Sequence, residues 1–295
     1  MSSPALPRPR RSVLYMPGAN SRALEKAKTL AADSLIFDLE DAVAPEAKTG
    51  ARETVADAVR AGGYGNREVV VRINGLDTEW GLDDMAAAVA AGPDAILAPK
   101  VTGGSDIERL SQAMDRAGAP ETMALWVMIE MPMAILNIQD IAEAVGRTRL
   151  AAFVMGTNDL AKEQRAKLTA DRIGFLTALS LAVTAARAYG LVAIDGVFNA
   201  IGDGPGLVSE CEQGRDMGFD GKTLIHPSQL DPCNRVFSPD PADVAHAQAV
   251  IAAFAEPENA GKGVIKVDGK MTERLHLSEA ERLVAIQTAI DGFML

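Results

Sequence analysis

Short apolar runs recur along the chain, each followed by a longer alanine-rich stretch in which apolar residues return every three or four positions. The short runs predict strands and the periodic stretches predict helices. Eight strands follow from this pattern, over residues 12–16, 34–39, 68–73, 95–98, 123–129, 151–155, 192–195 and 223–225. Helices are predicted between them over 21–32, 48–61, 81–91, 106–117, 138–145, 171–188 and 206–217. Nearly continuous apolar strands belong to a parallel sheet covered by helices on both faces. Eight such units predict an α/β fold closed on itself, a (β/α)8 TIM barrel, rather than an open doubly wound sheet. No G-x-G-x-x-G follows the first strand, which weakens a dinucleotide-binding reading.

Past Phe237 the pattern changes. Residues 238–241 read as a turn, 242–255 as a helix, 256–263 as a polar linker and 264–267 as a short strand. Asp268-Gly269 reads as a turn, and 278–291 as a last helix with Ser278 as its N-cap. Residues 1–237 are therefore the expected barrel. Residues 238–295 are the expected C-terminal helical extension, too small and too sparsely apolar for a second domain and expected to pack on a neighbouring subunit.

Composition changes this picture little. A chain of 295 residues suits one barrel with an addition. Only 4% of residues are aromatic, so the core must be aliphatic. A net charge of −11 argues against nucleic acid as a partner, and an anionic ligand would need a local basic patch. Cys211 and Cys233 form no metal or redox motif and read as reduced, buried thiols of a cytoplasmic protein. Arg8, Arg10 and Arg11 precede no long apolar run, so neither a secretory signal nor a membrane span is expected.

In such barrels the chemistry sits at the C-terminal ends of the strands. The residues there are Pro17-Gly18; Asp38, Glu40 and Asp41; Arg72 and Asn74; Lys100; Glu130; Asn158 and Asp159; Asp195; and His226. So many carboxylates in one mouth would repel unless a cation sat among them. Oxygen-only ligands favour Mg²⁺, which takes one or two carboxylates and completes its shell with water and substrate. Glu130 and Asp159 are the expected direct ligands, and Asp38, Glu40 and Asp41 the expected holders of metal-bound water. An acid after six apolar residues, as at Glu130, is hard to explain otherwise. Asp41 and Asp195 read equally well as helix caps or ion-pair members. Arg72 ends an apolar strand and must reach a buried anion, as a planar fork can. Lys100 reads as an ion-pair partner before a Schiff-base nucleophile. His226 reads as a buried histidine bonded to the barrel rim before a general base.

These stretches resemble the citrate lyase β-subunit-like family of the HpcH/HpaI aldolase superfamily, which includes malyl-CoA and citramalyl-CoA lyases and related thioesterases. The resemblance rests on Arg11-Ser12-Val13-Leu14-Tyr15-Met16-Pro17-Gly18, Asp38-Leu39-Glu40-Asp41-Ala42-Val43, Val71-Arg72-Ile73-Asn74, Pro99-Lys100-Val101, Ile129-Glu130, Gly156-Thr157-Asn158-Asp159-Leu160 and Ile225-His226-Pro227-Ser228-Gln229. It implies Mg²⁺ (or Mn²⁺) on Glu130 and Asp159, with Arg72 on the oxo group of a keto acid. It also implies Glu40 and Asp41 ordering the metal's water shell, and CoA lying across the mouth near Pro17, Gly18, Arg22 and Lys26. Arg22 and Lys26 read equally well as a solvated helix face. The implied reaction is Mg²⁺-dependent carbon–carbon cleavage of a short 3-hydroxyacyl-CoA of the malyl-, methylmalyl- or citramalyl-CoA type, giving acyl-CoA and glyoxylate or pyruvate. Thioester hydrolysis at the same metal is the alternative, as are an aldolase acting on a free keto acid and a citryl-acyl-carrier lyase subunit active only within a complex. The implied partners are acyl-CoA and a small keto acid, and the implied assembly is a homotrimer or hexamer. Two departures from the family stand out. Met131-Pro132-Met133 follows the metal-binding Glu, where smaller residues are usual. In the extension, Gly269-Lys270-Met271-Thr272-Glu273 carries Glu273 where the family has an Asp that acts as acid/base on the next subunit. Glu273 also reads as a surface residue.

Overall fold

The computed structural model of the chain describes residues 8–293. Eight strands pair in chain order, all parallel: β1 (Ser12–Pro17), β2 (Ser34–Asp38), β3 (Glu68–Arg72), β4 (Ala95–Ala98), β5 (Ala124–Ile129), β6 (Leu150–Met155), β7 (Val192–Asp195) and β8 (Gly221–Leu224). β8 returns to β1 through Thr223 opposite Val13, closing a TIM barrel. The helices are α1 (Ser21–Ala27), α2 (Lys48–Ala61), α3 (Gly81–Ala91), α4 (Gly104–Arg116), α5 (Pro132–Leu136), α6 (Ile138–Glu143), α7 (Thr157–Gln164), α8 (Leu176–Tyr189), α9 (Gly204–Met217) and α10 (Leu230–Phe237).

Alternation along each strand builds two cores. Residues pointing inward, among them Val13, Ile36, Val70, Leu97, Trp126 and Val154, fill the barrel lumen. Those pointing outward, such as Leu14, Leu35, Val71, Ile96 and Phe153, meet the apolar faces of the helices. At the N-terminal end of the barrel Arg10 grips Glu68 through two N–H groups at 2.6 and 2.8 Å and lies over the Trp126 ring. That end is plugged, so a ligand enters from the other.

Three differences from the sequence pattern bear on the site. α7 starts directly after β6 and its neighbour Gly156, so Asp159 stands in the first turn of a helix that the pattern missed. α8 begins at Leu176 instead of 171, because Arg172 is drawn into a buried ion pair. α1 ends at Ala27, short of the predicted 32.

Arg10–Phe237 forms one compact unit, and the residues from Ser238 onward belong to a second. The second holds α11 (Pro241–Ala255), an antiparallel pair β9 (Val264–Val267) and β10 (Lys270–Glu273), and α12 (Arg274–Phe293). It has a small apolar cluster of its own around Val250, Phe254, Ile265 and Val267. α12 begins four residues before Ser278, so Ser278 is not its cap; the imidazole of His276 accepts the N–H of Glu273 at that end instead. Among the described residues no helix is long and apolar enough to cross a membrane.

Candidate active site

A cavity of about 310 Å³ opens at the C-terminal end of the barrel. Its lining includes Tyr15, Asp38, Asp41, Arg72, Met128, Glu130, Asn158 and Asp159. A short hydroxy acid fits such a volume, while a nucleotide-sized group must lie outside it.

The Asp38-Leu39-Glu40-Asp41 turn is built from its own sequence. Asp38 ends β2, and its carboxylate accepts the N–H groups of Glu40 and Ala42 at 2.9 and 3.0 Å, closing the chain into a tight turn. From behind, Lys48 donates to the carbonyls of Leu39 and Glu40 and to Asn74 Oδ1, all within 3.0 Å. Asn74 in turn donates to Leu39 O and to Asp84. Gly18 belongs to this scaffold too. Its N–H donates to Asp38 O, and a Cβ there would collide with that carbonyl and with Val55. The N–H of Gly18, a residue expected near CoA, is thus used inside the fold.

Arg72 is buried beneath this turn. Its Nε and Nη2 form a two-pronged bond with Asp38 at 2.7 and 2.6 Å, and Nη1 lies 2.9 Å from Glu40 and 3.5 Å from Asp41. Its guanidinium stacks on the Tyr15 ring at 4.9 Å. Asp38 therefore takes one edge of the guanidinium, and Arg72 lines the cavity with Nη1 beside Glu40 and Asp41. Lys100 donates its ammonium to Glu40 Oε1 at 2.6 Å and its main-chain N–H to Glu130 Oε1 at 2.8 Å.

Acids outnumber cations here. Asp38, Glu40, Asp41, Glu130 and Asp159 face Arg72 and Lys100. Glu130 is 1% exposed, and burial, with the charges of Glu40 and Asp159 added, pushes its carboxyl up to about 8. Burial also pushes Glu40 up, against the pull of Arg72 and Lys100. Glu130 Oε2 and Glu40 Oε2 are both buried and receive no hydrogen bond. The 2.9 Å approach of Arg72 to Glu40 Oε2 is a charge contact outside hydrogen-bond alignment. Gly156 leaves room for Glu130, because a Cβ there would overlap the Glu130 side chain. Glu130 Oε2, a buried oxygen with no donor on a residue of the cavity wall, suits a hard cation. No group of three or more His, Cys, Asp or Glu side chains forms a ready cage among the described residues. A donor set of two carboxylates agrees with Mg²⁺, which keeps places for water and substrate.

These features fit what relatives reveal. The family model described as HpcH/HpaI aldolase/citrate lyase matches residues 11–227. The chain belongs to that family. It is 49% identical, over 97% of both chains, to a (3S)-malyl-CoA thioesterase of Cereibacter sphaeroides. It is 34% identical to the citrate lyase subunit beta of Escherichia coli, over 93% of this chain and 94% of that one. Among solved structures, CitE of Mycobacterium tuberculosis in complex with magnesium, acetoacetate and coenzyme A superposes with a TM-score of 0.74 at 26% identity, covering 94% of this chain and 97% of that one. This HpcH/HpaI family member is accordingly an enzyme.

Other expected site residues lie elsewhere. Asp195 is fully buried and does not line the cavity; it pairs with Arg172 at 2.7 Å and Lys222 at 2.9 Å, and Lys222 also holds Glu210 at 2.6 Å. His226 is exposed, not buried, and its Nδ1 accepts the N–H of Ser228 to cap the turn after β8. Arg22 and Lys26 are exposed on α1, and Pro17 is half-buried. Met133 is exposed on α5 while Met131 packs against the core. Neither lines the cavity. Glu273 ends β10 in the second unit and is exposed. Cys211 and Cys233 are buried and free. The pattern passed over Lys48, Asp84 and Lys222. A signal existed for the first two: each is a charge on the buried stripe of its helix, Lys48 with Ala51 and Val55, Asp84 with Met85 and Ala88.

Proposed function

We propose that this protein is a Mg²⁺-dependent enzyme acting on a short 3-hydroxyacyl-CoA thioester of the malyl type, and that hydrolysis of the thioester is its main reaction. The buried, donorless Oε2 of Glu130, on a cavity that Asp159 also lines, carries the metal part of this reading. The 49% identity to a (3S)-malyl-CoA thioesterase over nearly all of both chains supports hydrolysis, and so reverses the order expected from the motifs.

Glu130 and Asp159 would hold Mg²⁺, which supplies positive charge among the acids and polarises an oxygen of the substrate. The remaining work falls to the chain. The Nη end of Arg72, fixed by Asp38 and Tyr15, binds the carboxylate or hydroxyl oxygen of the acid group. Glu40 keeps Arg72 and Lys100 in place. The side chain of Asp41 is 56% exposed at the cavity edge and takes a proton from the attacking water. Water adds to the thioester carbonyl, the C–S bond breaks, the sulfur leaves with a proton, and a free acid and CoA result. The CoA nucleotide lies outside the cavity, where Arg22 and Lys26 meet its phosphates.

The second reading is carbon–carbon cleavage, favoured by the citrate lyase similarity. It breaks the bond between the hydroxyl-bearing carbon and the carbon next to the thioester, giving acyl-CoA and glyoxylate or pyruvate. It needs an acid/base at the α-carbon, a role we assign to Glu273 supplied by a neighbouring subunit of a homo-oligomer. The pure protein should be incubated with malyl-CoA and citramalyl-CoA, with Mg²⁺ and with a chelator. Malate and free CoA in the Mg²⁺ arm alone support hydrolysis, acetyl-CoA and glyoxylate support cleavage, and full turnover in excess chelator would sink the metal.

A further inference from the structure

Lys100 is one of few non-glycine residues with a left-handed backbone, at φ +54°. Side chains avoid that region, and such outliers cluster where a site needs them. Pro99 and the end of β4 lead into it, and the reversal has two results in one residue. The main-chain N–H meets Glu130 Oε1 at 2.8 Å, and the ammonium meets Glu40 Oε1 at 2.6 Å. The Oε2 atoms of the same two glutamates are the ones left buried without a donor. One residue therefore occupies one oxygen of each acid; the other oxygen of Glu130 is left without a partner, while that of Glu40 faces Arg72 Nη1 at 2.9 Å.

We propose that Lys100 is a positioning residue of this site: its strained backbone aims an N–H at Glu130 Oε1 so that Oε2 is presented to a divalent cation, while its ammonium holds Glu40 clear. This rests on the reading of Glu130 as a metal ligand. A glycine would adopt the same backbone freely but could not reach Glu40, which explains a lysine where the backbone alone favours glycine. A β-branched residue would resist positive φ and swing the N–H away from Glu130.

The two roles separate by mutation, with Mn²⁺ affinity measured by titration calorimetry on the full-length protein and folding checked by thermal melting. Lys100→Gly keeps the N–H and should bind Mn²⁺ within about threefold of wild type, while Lys100→Val should bind about 10–100-fold more weakly at little change in melting temperature. If Lys100→Val does not fold, Lys100→Ala makes the same comparison with a milder backbone preference. Equal affinity of the Val or Ala variant and wild type would overturn the proposal, as would a loss in Lys100→Gly as large as in Lys100→Val, since the ammonium would then be the only contributor. A wild-type chain that binds no Mn²⁺ overturns the metal reading itself, a failure recognisable because it appears without any substitution.

Discussion

Two buried charge clusters stand at the strand ends of this barrel, and they differ in balance. Behind β7 and β8, Asp195 and Glu210 meet Lys222 and Arg172, so charges cancel within the cluster. Burial alone would raise the Asp195 carboxyl, but Lys222 and Arg172 more than reverse this and hold it low. The atom left over is a donor, Arg172 Nη2. At the cavity, acids exceed cations, burial holds Glu130 up to about 8, and the atoms left over are acceptors, one on each glutamate. A closed set of charges needs nothing further and reads as structure. A set short of positive charge, facing a cavity, reads as a place where a cation or substrate completes it.

The strongest test of that contrast is Asp195→Ala. It leaves two buried cations, Lys222 and Arg172, with Glu210 as the one remaining anion of the cluster and should cost about 3–5 kcal/mol of stability, seen as a lower denaturant midpoint. A loss under about 1 kcal/mol would mean that the cluster is open to water and the contrast is false. Glu130→Gln should behave in the opposite way. Turnover should fall by a factor of roughly 100–1,000, yet the cation-free protein should be no less stable, since the amide replaces a carboxyl whose charged form burial disfavours and no partner charge is stranded.

A smaller effect concerns pH. The Glu130 carboxyl lies at about 8 in the folded chain against an ordinary 4.5, so it contributes stability at low pH and that contribution is lost as pH rises toward 8. In chelator, wild type should therefore lose more melting temperature between pH 5 and pH 8.5 than Glu130→Gln does. Side-chain relaxation and water entry hold the difference to about 1 kcal/mol, or roughly 2–4 °C. Parallel melting profiles would show that Glu130 is not held up by its surroundings. The smallest expected effect is none. Lys100 is held protonated by Glu40, whose hydrogen bond and charge outweigh its burial, so borohydride with pyruvate or glyoxylate should leave its mass unchanged. A reduced adduct on Lys100 would place the chemistry in the imine class.

The barrel was legible in the sequence because strand identity depends on local apolar runs and their spacing, and no long-range information is needed to read either. All eight strands fall within about two residues of the pattern at each end. The polar residues at strand ends were legible for the same reason, through the rule that places chemistry at one face of such a barrel. Asp195 and Glu130 look alike in sequence, each an acid closing an apolar run. Only the closed sheet decides that Asp195 turns outward onto Lys222 and Arg172 while Glu130 turns toward the cavity, because inward and outward sides alternate with a period of two and one residue of register exchanges them. Tertiary structure alone also decided that Asp38 takes one edge of Arg72, that Lys100 bends into a left-handed turn between two glutamates, and that Lys48 anchors the acidic turn from behind. The first two join residues from different strand–helix units, whose distances are set by barrel closure, and the third needs the fold of the loop between β2 and α2 to turn Lys48 back onto the acids.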